Sequence, residues 1–284
     1  MLERCAHNKE APYTPNIFYT KNSKMKNFKT FYSIFVSLTV ALMFMFFVRT
    51  YFFYDEVALD AQAWGAFFTV FGVFYAIIIG SLITNVLGRF TSLSRTVEEE
   101  LVALEEVRDL LIYLDENKET KKEIYTALLD YVNSVLGKAW EEMGNINSSF
   151  NTDTSNELYK LIKAVHKIKI TNESDKFALG ALMNKITDIT TLRSKRISYA
   201  REQLPSRLQT LVTFMSIMLL FGFIFVGVHN IWIHGLMVFS ITILIYFAHI
   251  ILSELNHPFR GVWNINKRPF QEFQRKLKNI VALQ

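Results

Sequence analysis

The sequence predicts an all-α, polytopic membrane protein with four transmembrane helices, arranged as two hairpins that flank one cytoplasmic helical bundle. Three observations support this fold class. Hydrophobic residues make up 51% of the 284 residues, and 25 of them are phenylalanine. They are concentrated near both ends, whereas the middle of the chain is charged. Four runs near the ends carry no charge and approach the roughly 20 apolar residues that a membrane-spanning helix needs.

These four runs define the predicted spans. They lie at residues 31–48, at 64–87, at about 208–228, and from Ile231 or Leu236 to Leu252. Buried helices of a large soluble core are the alternative, but uncharged runs of this length are typical of membrane spans. The first run follows a long polar stretch and no small-residue cleavage site comes after it, which predicts a retained helix rather than a signal peptide. The predicted parts are an N-terminal tail (1–30), a first hairpin (31–88), a helical domain (89–206), a second hairpin (207–253) and a C-terminal tail with an amphipathic helix (254–284).

The basic residues predict the orientation of the spans. Residues 1–30 carry six Lys or Arg against two acids, and residues 257–284 carry six against one. The loop between the third and fourth spans, residues 229–235, has none. Because cytoplasmic flanks are enriched in Lys and Arg, we expect both termini and the helical domain in the cytoplasm. The domain itself has 17 basic and 19 acidic residues, a balance that does not favour binding to nucleic acid.

Residues 92–206 have the apolar periodicity of a helical bundle. A first helix has a capping-box spacing at Thr96 and Glu99, although no Gly or Pro prevents it from continuing out of the second span. A second ends near Met143, residues 144–156 are a loop, and a third covers 158–165. The fourth runs from near Ser174 to Leu204, with Phe177 among its inward residues. Charged runs, such as Glu98-Glu99-Glu100, are interpreted as solvated faces.

No catalytic motif is present. The sequence contains no P-loop, no HExxH and no nucleophile elbow, and its single cysteine excludes an internal disulfide. We therefore expect no enzyme, no cofactor and no metal site. His249 lies inside the fourth span, where an ionisable residue is a functional candidate. Its position near the cytoplasmic end also allows it simply to reach the interface.

The second span has the most regular pattern. One face carries small residues that suit close helix packing, namely Gly65, Gly72, Ala76 and Gly80. Another carries bulky residues that would form a hydrophobic constriction if this helix lined the axis of an oligomer, namely Phe67, Phe71, Phe74 and Ile78. Towards the cytoplasmic end, a polar patch suits a hydrated vestibule, and its residues are Ser81, Thr84 and Asn85.

The C-terminal segment 269–283 predicts one more amphipathic helix. Proline at its start is permitted in a first helical turn, and Phe270, Phe273, Leu277 and Ile280 share one face. This face suits either the membrane surface or packing against the cytoplasmic bundle. The sequence leaves both possibilities open.

Three stretches resemble the bacterial bestrophin-like membrane proteins. They are residues 94–101 after the second span, residues 192–197 followed by Leu204-Pro205 before the third, and residues 255–261 after the fourth. The motif residues of the last two are Pro205, Pro258, Phe259, Arg260 and Gly261. The resemblance covers roughly residues 31–270. Asn256 stands where the family more often has an acid, and residues 262–265 lack the acidic run of the calcium-binding bestrophins, so we expect no calcium clasp.

The resemblance implies a homo-oligomer, pentameric as bestrophins are, in the bacterial inner membrane. It further implies a channel for small anions whose second span lines the pore. The alternative is a non-conducting protein that is anchored in the lipid bilayer and docks a cytosolic protein partner through its helical domain. The size of that domain and the absence of charged residues in the spans favour this second hypothesis.

Overall fold

All regular structure in the described part of the chain is helical. The computed structural model describes residues 21–51, 61–115, 118–143, 153–226, 228–259 and 263–283. The helices are α1 (Lys21–Tyr51), α2 (Ala61–Leu110), α3 (Lys118–Ser134), α4 (Trp140–Met143), α5 (Asp153–His166), α6 (Glu173–Arg201), α7 (Ser206–Phe225), α8 (Ile231–Asn256) and α9 (Arg268–Leu283). A π-helical turn, Val135–Ala139, joins α3 to α4.

Four segments are long and apolar enough to cross a membrane. They lie at Tyr32–Tyr51, Gln62–Leu110, Glu173–Phe225 and Ile231–Asn256. The four predicted spans overlap these segments, in α1, α2, α7 and α8 respectively. The third span ends at Phe225, three residues earlier than predicted, because the chain becomes extended at Val226.

The spans pack through two apolar clusters. In the first, α2 contacts α7 and α8 through Tyr75, Ile79, Leu82, Val86, Val212, Met215, Leu219, Leu252 and Leu255. In the second, α1 packs against α7 and α8, with Ala41, Met45 and Val48 facing Ile224 and Val238. The Arg49 guanidinium, at the end of α1, donates to the carbonyl oxygens of Val228 (3.0 Å) and His229 (2.6 Å). The end of the first span is therefore hydrogen-bonded to the loop between the third and fourth spans.

The remaining part of α2 (residues 89–110) joins α3, α5 and α6 in a helical bundle, hereafter the bundle. Its core contains fully buried aliphatic side chains, among them Leu104, Leu128, Leu161, Leu182 and Ile189. Most residues of the apolar stripes in these helices are buried, and α2 packs most extensively against α6. Burying such side chains stabilises the bundle by about 1.5–3 kcal/mol for each Leu or Ile.

α2 passes from the span into the bundle without a break. Glycine and proline are absent from residues 89–110, so nothing ends the helix. The capping-box interpretation of Thr96 and Glu99 is wrong, because no helix begins there. The Thr96 hydroxyl instead donates to the carbonyl oxygen of Ser92 (2.9 Å), and Glu99 accepts from Arg95 (2.8 Å).

α6 begins one residue earlier than predicted, at Glu173, with Asn172 as its N-cap. Phe177 was predicted to face inward, and this is wrong, because its side chain is 76% exposed. Ala178 and Leu182 occupy the buried face, and Phe177 lies one residue out of phase with them. α6 ends at Arg201 rather than continuing to Leu204, since a residue before proline is forced out of the helical conformation.

α9 packs against the bundle, which decides between the two possibilities left open above. Phe270, Phe273 and Leu277 are buried there. The Gln274 amide donates to Asn133 Oδ1 (2.6 Å), and the Arg108 guanidinium lies 5.7 Å from the centre of the Phe273 ring. The amphipathic face therefore covers α2 and α3 rather than lipid.

Candidate functional site

The bulky residues of the second span divide into two groups. Phe67 and Phe74 are 52% and 59% exposed. Phe71 and Ile78, each four residues further along, are partly buried against the chain's own apolar cluster. Four residues advance a helix by about 40° beyond a full turn, which rotates these two side chains towards the buried Tyr75 and Ile79. Of the four predicted constriction residues, Phe67 and Phe74 are therefore the two that one protomer leaves exposed.

The polar patch lies on the same open side of α2. Ser81, Thr84 and Asn85 are all exposed, and the Thr84 hydroxyl donates to the carbonyl oxygen of Gly80 (3.0 Å). We call Phe67, Phe74, Ser81, Thr84 and Asn85 together the α2 stripe. Polar side chains at membrane depth are usually turned towards protein or water. Lipid is therefore a poor environment for the polar end of the α2 stripe.

The small residues of the second span make no close helix contact within one protomer. Gly65, Ala76 and Gly80 are exposed, and a Cβ added at Gly65, Gly72 or Gly80 would meet nothing within 4 Å. Their role in helix packing stays a prediction for contacts between copies of the chain.

A close approach between spans is found at Gly222 in α7. A Cβ added there would lie 1.8 Å from two ring atoms of Phe68, whose ring also stacks on Trp64 at 5.5 Å. Gly222 is not among the packing residues predicted from the sequence. The sequence could have indicated this contact, because Gly222 is a residue without a side chain within a run of bulky apolar residues.

Two of the motif stretches meet in a buried ion pair inside the bundle. The Arg196 guanidinium donates to Glu100 from Nε (2.6 Å) and Nη2 (3.2 Å), and the Tyr131 hydroxyl donates to Glu100 Oε1 (2.5 Å). Glu100 and Tyr131 are fully buried, and Arg196 is 1% exposed. Burial, with the negative charge of Glu100, holds the pKa of Tyr131 well above its usual value. Burial lowers the pKa of Arg196, but the charges of Glu100 and Tyr131 and the hydrogen bonds to both side chains together outweigh burial, and the net shift is upward.

This pair was not predicted, because Glu98-Glu99-Glu100 was interpreted as one solvated face. Glu98 and Glu99 are indeed exposed, but Glu100 is not. Its spacing was the available signal, since Glu100 lies three residues after Val97 and four before Leu104, both of which are buried. A charged residue in phase with an apolar stripe indicates a buried partner.

A second meeting point lies where α2 leaves the membrane spans. Asn256, at the end of α8, is 5% exposed. Its Oδ1 accepts from Arg89 Nη2 (3.0 Å) and from the backbone N–H of Leu204 (2.8 Å). We call these three residues the Asn256 junction. It joins α2, the extended link between α6 and α7, and α8 through one oxygen atom.

The open side of α2 continues along the bundle as a charged groove of about 610 Å³ between α2 and α6. Lys185 contributes one ion pair with Glu106 (2.7 Å) and another with Asp188 (3.5 Å). Arg95 pairs with Glu99 at the end of the groove that is nearer the second span. The groove therefore contains both signs of charge, and most of them are paired.

A family model, the bestrophin-like domain, matches residues 30–270. The chain belongs to the bestrophin-like family. No curated protein sequence matches it.

Solved structures agree with the family at the level of the fold. A bacterial bestrophin homolog from Klebsiella pneumoniae, phased with zinc, superposes with a TM-score of 0.65 at 15% identity, covering 88% of this chain and 98% of that one. A single-residue mutant of a Klebsiella pneumoniae homolog gives a TM-score of 0.70 at 14% identity, covering 88% and 99%. At such low identity the likeness establishes that this bestrophin-like chain shares the fold.

Three of the other family-motif residues, Pro205, Pro258 and Phe259, belong to the described part of the chain. Pro205 is the N-cap of α7, directly after Leu204. The carbonyl oxygen of Pro258 accepts from the N–H of Ile265 (3.0 Å), and the Phe259 ring meets the Trp140 ring edge-on at 5.3 Å. Arg260 and Gly261 lie outside the described residues.

No metal site is found among the described residues. Within the described ranges, no group of three His, Cys, Asp or Glu residues could hold a metal ion. His249 Nδ1 lies 3.0 Å from the carbonyl oxygen of Ile245 on its own helix. This bond leaves both interpretations of His249 standing.

Proposed function

We propose that this bestrophin-like chain forms a homo-oligomeric channel for small anions, in which α2 lines the pore. The observation that carries the proposal is the α2 stripe. Two phenyl rings and three polar side chains lie along one side of a membrane span and are open in the single protomer. Apolar rings followed by polar groups suit a narrow dry segment that leads into a wetter one.

A ring of copies would give the α2 stripe a suitable environment. Ser81, Thr84 and Asn85 would face water or a neighbouring copy instead of hydrocarbon. The uncovered glycines on the same helix would let neighbouring α2 helices approach closely. Likeness to bestrophins supports a pentameric ring in the bacterial inner membrane. The Lys and Arg residues beside the spans support an orientation with both termini and the bundle in the cytoplasm.

Flux measurements on purified protein test this proposal. The full-length chain is reconstituted into liposomes, and chloride efflux is compared with that from protein-free liposomes and with efflux of gluconate, a bulky anion. The oligomer is sized in detergent by light scattering. We expect chloride to pass faster than gluconate and the mass to be a multiple of the 33.0 kDa chain. Efflux no faster than from empty liposomes, together with a monomeric mass, contradicts the proposal.

The second candidate function is a non-conducting membrane anchor that docks a cytosolic protein. Its support is a group of exposed apolar residues near the end of the bundle where the N–H of Asp115 meets Asp175. These residues are Ile112, Tyr113, Ile170 and Phe177. An oligomer without flux, whose full-length form binds a cytosolic protein and loses it on Phe177→Ser, would favour this function.

A further inference from the structure

The Asn256 junction lies at the boundary between the membrane spans and the bundle, where α2, the link between α6 and α7, and α8 meet. α2 passes there from the spans into the bundle. α6 ends at Arg201 and α7 begins at Ser206, so residues 202–205 are the connection between the bundle and the third span. α8 ends at Asn256 itself. Any relative movement of bundle and spans therefore has to be accommodated at this level.

The backbone of the link depends on Asn256. Pro205 excludes Leu204 from the helical conformation, so the last bond of the α6 ladder is from Glu202 N–H to the Ser198 carbonyl oxygen (3.1 Å). The Leu204 N–H is buried, and its partner is Asn256 Oδ1. A buried N–H that loses its partner carries the full desolvation penalty. The Leu204 carbonyl oxygen, in turn, accepts from Gln209 Nε2 (3.0 Å).

The same oxygen holds α2. A side-chain carbonyl oxygen has two lone pairs, and here one serves Leu204 and the other serves Arg89. Asn256 offers no charge, so it holds the Arg89 guanidinium through a single hydrogen bond to a neutral acceptor. Such a bond is weaker than an ion pair and easier to break and re-form.

We propose that Asn256 is a positioning residue that couples the link between α6 and α7 to α2. With the junction formed, α2, the link between α6 and α7, and the end of α8 move together. When it opens, the link and the Arg89 turn of α2 are released together, because both lose the same acceptor atom. The consequence for conduction rests on the proposed channel function, whereas the coupling itself does not.

Hydrogen exchange of the full-length protein in nanodiscs tests the coupling without any flux. Asn256→Leu removes the acceptor at similar size, and Ser253→Ala, at an exposed site one turn earlier on α8, is the matched control. We expect the Leu204 amide to exchange roughly tenfold faster in Asn256→Leu, as the loss of one hydrogen bond implies, with faster exchange also in α2 around Arg89. Ser253→Ala should match the wild type. Unchanged exchange at Leu204, or release of Leu204 with unchanged exchange in α2, overturns the proposal.

Two further variants keep the test decisive if Asn256→Leu does not fold. Asn256→Asp keeps the acceptor and adds a charge opposite Arg89, so exchange at both places should be slower than in the wild type. Arg89→Met should release α2 alone and leave Leu204 protected. Faster exchange in Asn256→Asp, or wild-type exchange of α2 in Arg89→Met, overturns the coupling.

Chloride efflux from liposomes then distinguishes this inference from the channel proposal. We expect faster efflux for Asn256→Leu and slower efflux for Asn256→Asp. Wild-type efflux in a variant whose Leu204 and α2 are released overturns the link to conduction but leaves the channel standing. Absence of efflux from the wild type overturns the channel, and the exchange data still decide the coupling.

Discussion

Glu100 of α2 and Arg196 of α6 form a two-point ion pair, with Nε and Nη2 of the arginine at 2.6 Å and 3.2 Å from the carboxylate, in the centre of the bundle. Both side chains are buried, and Tyr131 of α3 donates a third hydrogen bond to the carboxylate. The pair therefore joins three helices at one carboxylate.

Removing one partner of this pair should cost far more than removing both. Arg196→Met leaves a buried carboxylate without its cation, so we expect a loss of about 3–5 kcal/mol and a lower melting temperature in detergent. Glu100→Met combined with Arg196→Met should regain most of that loss, because apolar residues of similar volume can replace a buried pair. A double variant less stable than either single variant would contradict this prediction.

Gly222→Ala should separate α7 from α2. Its new methyl group would overlap the Phe68 ring, and overpacking of this kind costs about 1–3 kcal/mol. Gly235→Ala is the matched control, since a Cβ there meets nothing within 4 Å. We expect a lower melting temperature for Gly222→Ala alone, and recovery when Phe68→Leu is added. Equal melting temperatures for the two glycine variants would show that the ring moves aside at no cost.

Phe74→Ala and Phe71→Ala should have different effects, although they lie on the same span. Phe74 is exposed, so its loss should raise chloride efflux with little change in melting temperature. Phe71 is partly buried among residues of its own protomer, so its loss should mainly reduce stability, as a cavity does. Efflux assays and thermal melts on both variants test this contrast. Higher efflux from Phe71→Ala alone would show that the constriction is at Phe71 rather than at Phe74.

Asp175 should make stability depend on acid. Hydrogen bonds from the N–H of Asp115 and from Thr171 lower the pKa of this carboxyl below its ordinary value of 3.8. A carboxylate with a lowered pKa stabilises the folded state above the ordinary pKa, and this contribution is lost as the pH falls through the folded-state pKa. The melting temperature of the wild type minus that of Asp175→Asn should therefore be constant near neutral pH and shrink below about pH 4. Glu173→Gln, on the same turn, is the control, and a difference that grows in acid would contradict the prediction.

The helices and spans could be predicted because their signals are local. Uncharged runs located the spans, and the absence of Gly and Pro after Arg89 indicated that α2 continues into the bundle. Phe177 was wrongly predicted to be buried. The neighbouring Ala178, a short apolar residue, occupies the buried position on this face of α6 instead. Local patterns identify an apolar face but do not rank neighbouring positions within it.

The contacts of the candidate site could not be predicted in the same way. Asn256 and Arg89 are 167 residues apart in the chain, and Glu100 and Arg196 are 96 apart. Periodicity places each residue on a face of its own helix, but the partner is decided by how distant helices pack. Spacing along α2 predicts one stripe of four bulky residues, whereas the partial burial of Phe71 and Ile78 depends on the positions of α7 and α8.

The unbroken course of α2 also has a mechanical consequence. Its 50 residues span about 75 Å, and Arg89 lies close to the middle, about 33 Å from Phe67 and about 32 Å from Leu110. If α2 pivots where Arg89 meets Asn256, it is a lever with nearly equal arms. A tilt of about 5° would carry Phe67 sideways by about 3 Å and the far end equally in the opposite direction, given that helix rise. A small tilt of the bundle end of α2 would thus displace Phe67, in the membrane span, by about half the width of a phenyl ring.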